Sequence, residues 1–159
     1  MKPKVLVGCP TSDYHEYCLN EYYESIISLS YSNYDILLVD NSKDAAYFDK
    51  LRKLGLGVIK DRFQQKARDR LVQSRNILKN YAVESNYDYL LSLEQDIIPP
   101  RDIIERLLRH KKDIISGAYF KYFHGQLLPL VYKKIDKKTF EELKNTPDKK
   151  ILDKLKKQN

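Results

Sequence analysis

The stretch Leu90-Leu-Ser-Leu-Glu-Gln-Asp-Ile-Ile-Pro-Pro100 decides the fold of this chain. Its three leucines have the composition of a buried strand, and the two prolines end the run. Glu94 and Asp96 stand where that strand ends. Two carboxylates held close together repel each other unless a cation lies between them or one of them is protonated. The stretch therefore predicts a core strand that ends in a divalent-ion site or in an exposed acidic turn before a helix.

Short apolar runs alternate with helical patterns along the chain before and after this stretch. Because the predicted strands are apolar on both faces, we expect a mostly parallel, twisted α/β sheet with helices on both faces, in a Rossmann-like arrangement. The predicted strands are Lys4–Cys9, Asp35–Val39, Gly57–Ile59, Tyr87–Leu93 and Asp113–Phe120, with a further edge strand at Leu127–Tyr132. The predicted helices are His15–Leu29, Ala45–Leu54, Lys66–Glu84 and Pro100–His110.

The positive charge of the chain is concentrated at its C-terminal end. Residues 133–159 contain ten Lys against five Asp or Glu, which is five of the seven excess positive charges. We therefore predict an α/β domain at 1–132 and a short basic helical extension of the same domain at 133–159. A basic tail on a nearly neutral domain does not favour a nucleic-acid-binding face.

Three features of the sequence bear on where in the cell the protein is expected. The longest run without Asp, Glu, Lys or Arg has 11 residues, from Tyr122 to Tyr132, whereas a membrane-spanning helix needs about 20 apolar residues. No signal-peptide pattern opens the sequence, and the two cysteines, Cys9 and Cys18, form no metal motif. We expect a protein of the cytoplasm, with attachment of the basic tail to an acidic membrane surface as an alternative.

Polar residues follow three of the predicted strands directly. They are Pro10-Thr11 after the first strand, Asp40-Asn41-Ser42 after the second and Glu94-Gln95-Asp96 after the fourth. In parallel α/β sheets, ligands bind beyond the carboxyl ends of the strands. The three segments therefore predict one ligand site at a common edge of the sheet.

The order of these motifs resembles that of the GT-A glycosyltransferases, especially their large inverting, family-2-like group. Their first strand ends in a Pro-Thr loop, as in Val5-Leu-Val-Gly-Cys-Pro-Thr11, and their second in an acidic turn with Ser, as in Leu38-Val-Asp-Asn-Ser42. A helix then carries an Arg-Asn pair, as in Ser74-Arg75-Asn76. The Asp-x-Asp motif is matched by Tyr89-Leu-Leu-Ser-Leu-Glu-Gln-Asp96, and a Ser-Gly strand by Asp113–Phe120. The resemblance covers about Lys4 to Phe120.

This resemblance implies a role for each site residue. Pro10 and Thr11 would line the base pocket of a nucleotide, and Asp40 would accept a hydrogen bond from the base. Arg75 would lie near the diphosphate or support the acidic loop. Glu94 would approach the ribose or the metal shell. Asp96 would bind the Mn²⁺ or Mg²⁺ ion that bridges the diphosphate.

Structural roles compete with several of these assignments. Asp40 is equally suited to cap a helix together with Ser42, and Arg75 to form a surface salt bridge. Arg68 and Arg70 are rivals for the diphosphate. The chain departs from the family pattern in having Glu94 in place of the first Asp.

The general base is the missing element of the resemblance. The family carries this base in an acceptor-binding half, and no spacing singles out Asp136, Glu141 or Glu142 for the role.

We therefore expect a metal-dependent glycosyltransferase that uses a UDP- or GDP-linked sugar and an unidentified acceptor glycan, lipid or protein. A non-catalytic or partner-dependent nucleotide-sugar-binding module is the alternative outside catalysis, and it would act as a homo-oligomer or with a partner chain. A sugar-1-phosphate nucleotidyltransferase is the alternative enzyme. The loop Gly8–Asp13 has one glycine and no basic residue, which disfavours that alternative.

Overall fold

The computed structural model describes residues 2–117 and the backbone of two short strands at 120–123 and 126–129. The chain divides into two compact units, Met1–Ile115 and Ser116–Asn159. The predicted domain boundary at 132, the basic extension at 133–159 and the last residues of the predicted strand Leu127–Tyr132 lie outside the described residues.

The first unit contains a four-stranded sheet in the order β3-β2-β1-β4, and every neighbouring pair is parallel. This arrangement confirms the predicted parallel α/β architecture. The strands are β1 (Val5–Thr11), β2 (Tyr34–Asp40), β3 (Gly57–Lys60) and β4 (Tyr89–Ser92). The helices are α1 (Leu19–Ile27), α2 (Ala46–Lys53), α3 (Ala67–Glu84) and α4 (Ile103–Leu108), with a 3-10 helix at Asp13–Cys18.

Side chains that alternate along β1 supply both faces of the sheet. Val5, Val7 and Cys9 belong to one core, which they share with buried residues of α1, α2 and α4. Leu6 belongs to a second core, which it shares with Leu78 and other residues of α3. Successive side chains of a strand point to opposite faces, so an apolar run without alternation buries both. The expectation of helices on both faces is confirmed.

Gly8 sets how closely α3 approaches β1. A β-carbon at this position would lie 2.9 Å from Cδ1 of Leu90 and 3.1 Å from Cδ2 of Leu78. Such distances are too short for carbon atoms in van der Waals contact. The absence of a side chain at Gly8 therefore lets Leu78 pack directly against the centre of the sheet.

Two features of the predicted strands are corrected by the structure. Leu90 is 36% exposed, because β4 pairs only with β1 among the described residues. Residues 113–117 of the predicted strand Asp113–Phe120 form no strand, and Ile114 is 93% exposed. Two adjacent β-branched residues favour extended backbone only locally. A strand also needs a neighbour to accept and donate its hydrogen bonds, and residues 113–117 have none among the described residues.

The described part of the second unit is an antiparallel pair of strands, β5 (Phe120–Phe123) and β6 (Gln126–Pro129). Phe120 pairs with Pro129, and Phe123 pairs with Gln126. The predicted strand at Leu127–Tyr132 overlaps β6. No helix in the described part of the chain is long and apolar enough to cross a membrane.

Candidate functional site

The carboxyl ends of the four parallel strands meet at one edge of the sheet. Thr11 pairs with Asp40 across β1 and β2, and Asp40 pairs with Lys60 across β2 and β3. Backbone bonds continue past the strands, from Asn41 N to Thr11 O at 2.9 Å and from Asp61 N to Asp40 O at 2.8 Å. We call residues 10–13, 40–42, 60–61 and 94–96 the strand-end edge. The structure thus brings together the three segments that the sequence predicted to converge.

Asp40 is fully buried at this edge, and both of its carboxylate oxygens have partners. Its Oδ1 accepts bonds from the backbone N–H and the hydroxyl of Ser42, at 2.9 Å and 2.5 Å. Its Oδ2 lies 2.7 Å from Nζ of Lys60. The turn that Asp40 makes with Ser42 is an Asx turn, in which the side chain imitates a backbone acceptor. Because the Asp40 side chain is fully buried, a ligand reaches its carboxylate only if a neighbouring group moves.

Ser42 does not cap α2, contrary to the prediction from sequence. Its hydroxyl accepts a bond from the backbone N–H of Asp13 at 2.8 Å and donates to Asp40. Asp44 instead accepts the N–H of Ala46 at 3.0 Å, at the start of α2. Ser42 therefore ties the residues that follow β1 to the residues that follow β2 at the strand-end edge.

Lys60 is a component of the edge that the sequence prediction missed. Its ammonium bridges Oδ2 of Asp40 and the backbone carbonyl of Ser42, each at 2.7 Å. The Lys60 side chain is 29% exposed, whereas that of Asp40 is 0% exposed. The cation is therefore the accessible member of this ion pair. The signal was present in the sequence, because Lys60-Asp61 directly follows the short strand pattern Gly57–Ile59.

A second buried acid of the strand-end edge, Asp61, directly follows β3. Its carboxylate accepts bonds from Nε2 of Gln73 at 2.5 Å, from the hydroxyl of Ser74 at 3.0 Å and from the N–H of Arg62 at 2.7 Å. Ser74 in turn accepts a bond from Nδ2 of Asn41 at 3.1 Å. The network fastens α3, and hence Arg75, to the ends of β2 and β3.

Pro10 and Thr11 are buried at the end of β1. The Thr11 hydroxyl donates to Oε1 of Gln95 and lies 3.4 Å from the hydroxyl of Tyr47. Thr11 therefore contacts the acidic turn through Gln95, and its hydroxyl is engaged within the protein. The assignment of both residues to a base pocket stays a prediction.

Glu94, Gln95 and Asp96 lie in a turn that replaces the end of β4. The N–H of Ile97 donates to Glu94 O at 3.1 Å and closes this turn. Glu94 is half-buried and forms an ion pair with Arg75 of α3. Asp96 is exposed, and its carboxylate has no hydrogen-bond or ion-pair partner among the described residues. The other exposed acid of the strand-end edge, Asp13, accepts a bond from the backbone N–H of Tyr14 at 3.0 Å. Asp96 is therefore the exposed acid of the edge that has no partner among the described residues.

The acidic turn offers two carboxylates, those of Glu94 and Asp96, to a divalent ion. Among the described residues, no group of three or more His, Cys, Asp and Glu side chains could hold a metal on its own. Mg²⁺ and similar hard cations are commonly held by one or two carboxylates, with phosphate oxygens and water completing the shell. Asp96, with Glu94 two residues before it in the turn, fits a site of this kind, in which phosphate oxygens and water supply the remaining ligands.

A groove of about 480 Å³ opens beyond the end of β3 and is lined by Arg62, Phe63, Gln64, Gln65 and Gln73. Arg70 holds the wall of the groove in place. Its guanidinium donates to the carbonyl of Gln64 at 2.6 Å and lies 5.0 Å from the ring centroid of Phe63. Arg70 is thus engaged in shaping the loop, whereas its rival Arg68 is exposed.

The thiol of Cys9 in β1 is fully buried. Burial raises the pKa of Cys9 to about 12, so the thiol is neutral at physiological pH. The thiolate is the reactive form of cysteine. Cys9 therefore contributes apolar packing under the strand-end edge.

The fold is similar to that of proteins of known structure. No protein-family model and no curated protein match the sequence. The structure is similar to that of the S. aureus protein TarS, with a TM-score of 0.51 and 17% identity over 67% of this chain and 19% of TarS. It is also similar to the mannosyltransferase PcManGT from Pyrobaculum calidifontis, solved with GDP-Man and Mn²⁺. That match has a TM-score of 0.55 and 17% identity over 74% of this chain and 35% of PcManGT.

The chain thus spans about a fifth of TarS and about a third of PcManGT. Identity of 17% carries the backbone architecture and not the individual side chains. The match nevertheless agrees with the fold expected from the Pro-Thr, acidic-turn and Asp-x-Asp motifs. The chain therefore shares the α/β fold of these two structures, in agreement with the Rossmann-like sheet expected from the sequence.

Proposed function

We propose that this protein binds a nucleotide-diphosphate sugar at the strand-end edge and transfers the sugar to an acceptor hydroxyl. The observation that carries the proposal is the inequality among the acids of that edge. Asp40 and Asp61 are buried and engaged by neighbouring donors, and the exposed Asp13 accepts the N–H of Tyr14. Asp96 is exposed without a partner among the described residues, and Glu94 is half-buried. An edge whose structural acids are all satisfied, and which still presents a further carboxylate, is suited to bind a cation that accompanies a ligand.

The donor is proposed to be a UDP- or GDP-linked sugar. PcManGT, which has the same type of fold, was solved with GDP-Man and Mn²⁺, and this supports a donor of that class. Pro10, Thr11 and Asp40 are proposed to border the base. Arg75 and Glu94 are proposed to border the ribose and diphosphate, where the guanidinium would offset phosphate charge.

Asp96 and Glu94 are the residues proposed to hold a Mn²⁺ or Mg²⁺ ion. When bound, such an ion would supply Lewis-acid stabilisation of the leaving nucleoside diphosphate. Arg75 would then keep Glu94 oriented through their ion pair. The pair is about half exposed on both sides, so its contribution to folding is at most about 1 kcal/mol, and orientation is its larger role.

Lys60 modifies the role expected of Asp40. Because Asp40 is enclosed by Ser42 and Lys60, a base that approaches this corner meets the ammonium of Lys60 first. An ammonium donates hydrogen bonds to base carbonyl oxygens, which both uracil and guanine carry. We propose that Lys60 and Asp40 act on the base as one unit.

Nucleoside diphosphates are expected to stabilise the folded protein when a divalent ion is present. At a free ligand concentration about 100 times the dissociation constant, linkage gives ~2.7 kcal/mol of stabilisation. The test is a thermal-shift titration of the full chain with UDP, GDP and ADP, each with Mn²⁺, with Mg²⁺ and with chelator. We expect a rise in Tm with UDP or GDP that is reduced in chelator.

Transfer itself is tested by the release of nucleoside diphosphate from UDP- or GDP-sugars in the presence of Mn²⁺, with and without mixed glycan acceptors. Millimolar nucleoside diphosphates that leave the Tm unchanged with either metal would contradict the proposed donor site. Binding without release in any acceptor mixture would support the non-catalytic, partner-dependent alternative.

A further inference from the structure

Gln95 occupies an unusual place for a polar side chain at an open edge. It stands between the two accessible acids, Glu94 and Asp96, yet it is only 2% exposed. The turn therefore directs its two acids outward and its amide inward. A buried side-chain amide needs partners for its donors and its acceptor, because unsatisfied polar groups in the interior are destabilising.

The Gln95 amide finds those partners on three separate elements. Its Oε1 accepts the hydroxyl of Thr11 at the end of β1. Its Nε2 donates to the backbone carbonyl of His15 in the 3-10 helix at 2.9 Å. The hydroxyl of Tyr47 in α2 lies 2.9 Å from Nε2 and 3.1 Å from Oε1. One side chain thus ties the acidic turn to the end of β1, to the 3-10 helix and to α2.

The backbone of Gln95 is held as well. The thiol of Cys18, at the end of the 3-10 helix, lies 3.5 Å from the Gln95 carbonyl oxygen. The turn is closed by the bond between Ile97 and Glu94. Because these contacts hold both the side chain and the backbone carbonyl of Gln95, residue 95 has little freedom to rotate. The turn is thus anchored at the residue that lies between Glu94 and Asp96.

We infer that Gln95 is a positioning residue, which holds the turn so that Glu94 and Asp96 present their carboxylates together at the strand-end edge. This inference rests on the proposed metal site at those two acids. It also links the metal-binding turn to Thr11 at the end of β1, which is proposed to border the base. Residues that orient metal ligands through hydrogen bonds typically affect metal affinity 10- to 100-fold.

The chemistry at position 95 requires both a donor and an acceptor. Leucine has a similar size but would leave the Thr11 hydroxyl and the His15 carbonyl without their bonds to Gln95. Glutamate would keep the acceptor for Thr11 but would oppose the His15 carbonyl with a second oxygen. An amide is the group that satisfies Thr11 and His15 at once.

The test compares the full-length parent with Gln95→Leu and with Leu37→Ala. Leu37 is a buried residue of β2 on the α3 face of the sheet, so Leu37→Ala controls for a general loss of stability away from the turn. Mn²⁺ is titrated calorimetrically in the presence of GDP, and amide hydrogen exchange is followed across residues 93–97. We expect Gln95→Leu to weaken Mn²⁺ binding by about 10- to 100-fold and to speed amide exchange in the turn. The control should leave both unchanged.

Tyr47→Phe provides a second variant in case Gln95→Leu does not fold. It removes one partner of the amide with little change in volume, and we expect smaller changes in the same direction. Equal Mn²⁺ affinity and equal exchange in the control and the position-95 variant would overturn the role of Gln95. A parent that binds no Mn²⁺ with GDP or UDP would instead contradict the proposed function, and exchange would still report whether Gln95 holds the turn.

Discussion

Lys60→Met is expected to destabilise the folded protein by about 3–5 kcal/mol, the range for removing one partner of a buried ion pair. The substitution leaves the Asp40 carboxylate at 0% exposure without its cation. Ser42 would still donate two hydrogen bonds, but the charge itself would be uncompensated. Chemical denaturation, with the free energy of unfolding extrapolated to water, measures the effect.

Asp40→Asn should be milder, at about 1–3 kcal/mol, which is the range for an impaired buried hydrogen bond. The ammonium of Lys60 is already partly exposed and can turn toward water, whereas the carboxylate cannot. The double variant should recover much of the loss because no buried charge then remains. A Lys60→Met protein as stable as the parent, or less affected than Asp40→Asn, would show that the pair does not organise the edge.

Asp96→Ala is expected to abolish the dependence of nucleotide binding on Mn²⁺ while leaving the fold intact. Asp96 is exposed and makes no hydrogen bond or ion pair with the described residues, so its removal opens no cavity in the core. We expect affinity for GDP or UDP with Mn²⁺ to fall at least tenfold, or about 1.4 kcal/mol. Calorimetric titration with Mn²⁺ and with chelator measures the difference.

Asp49→Ala is the matched control for this loss of charge. Asp49 is exposed on α2, so the control removes the same charge away from the acidic turn. If Asp96→Ala bound Mn²⁺ and nucleotide as well as Asp49→Ala does, the assignment of the metal to Asp96 would be wrong.

Much of the fold could be predicted because local pattern and tertiary environment agree in the first 110 residues. The apolar run of β1 is buried on both faces, and Gly55, which directly follows the predicted helix Ala45–Leu54, has a φ of 79°. The strand predicted at Asp113–Phe120 failed over residues 113–117 because two isoleucines do not specify a strand partner. The 3-10 helix at Asp13–Cys18 was also missed, since its residues continue the pattern of α1.

The location of the candidate site could be predicted from the sequence, but the contacts that hold its residues in place could not. Strand ends are recognisable from sequence, so Thr11, Asp40 and Asp96 could be placed at one edge. The partners of these residues lie far apart in the chain, as Gln95 and Tyr47 do. Neither has a local signature, because a buried amide network depends on distances that only the folded chain fixes. Lys60 does have a local signature, because it directly follows the recognisable strand pattern Gly57–Ile59, although the prediction from sequence missed it.

Paramagnetic broadening by Mn²⁺ tests most directly whether the strand-end edge is the donor site. Amide resonances of the ¹⁵N-labelled full-length protein are recorded with GDP or UDP, first with Mg²⁺ and then with small additions of Mn²⁺. The account predicts that broadening begins at Glu94, Gln95 and Asp96 and extends to residues 11–13, with little effect at the amino end of the sheet near Lys4. Broadening centred elsewhere, or spread evenly over the acidic residues of the surface, would contradict it.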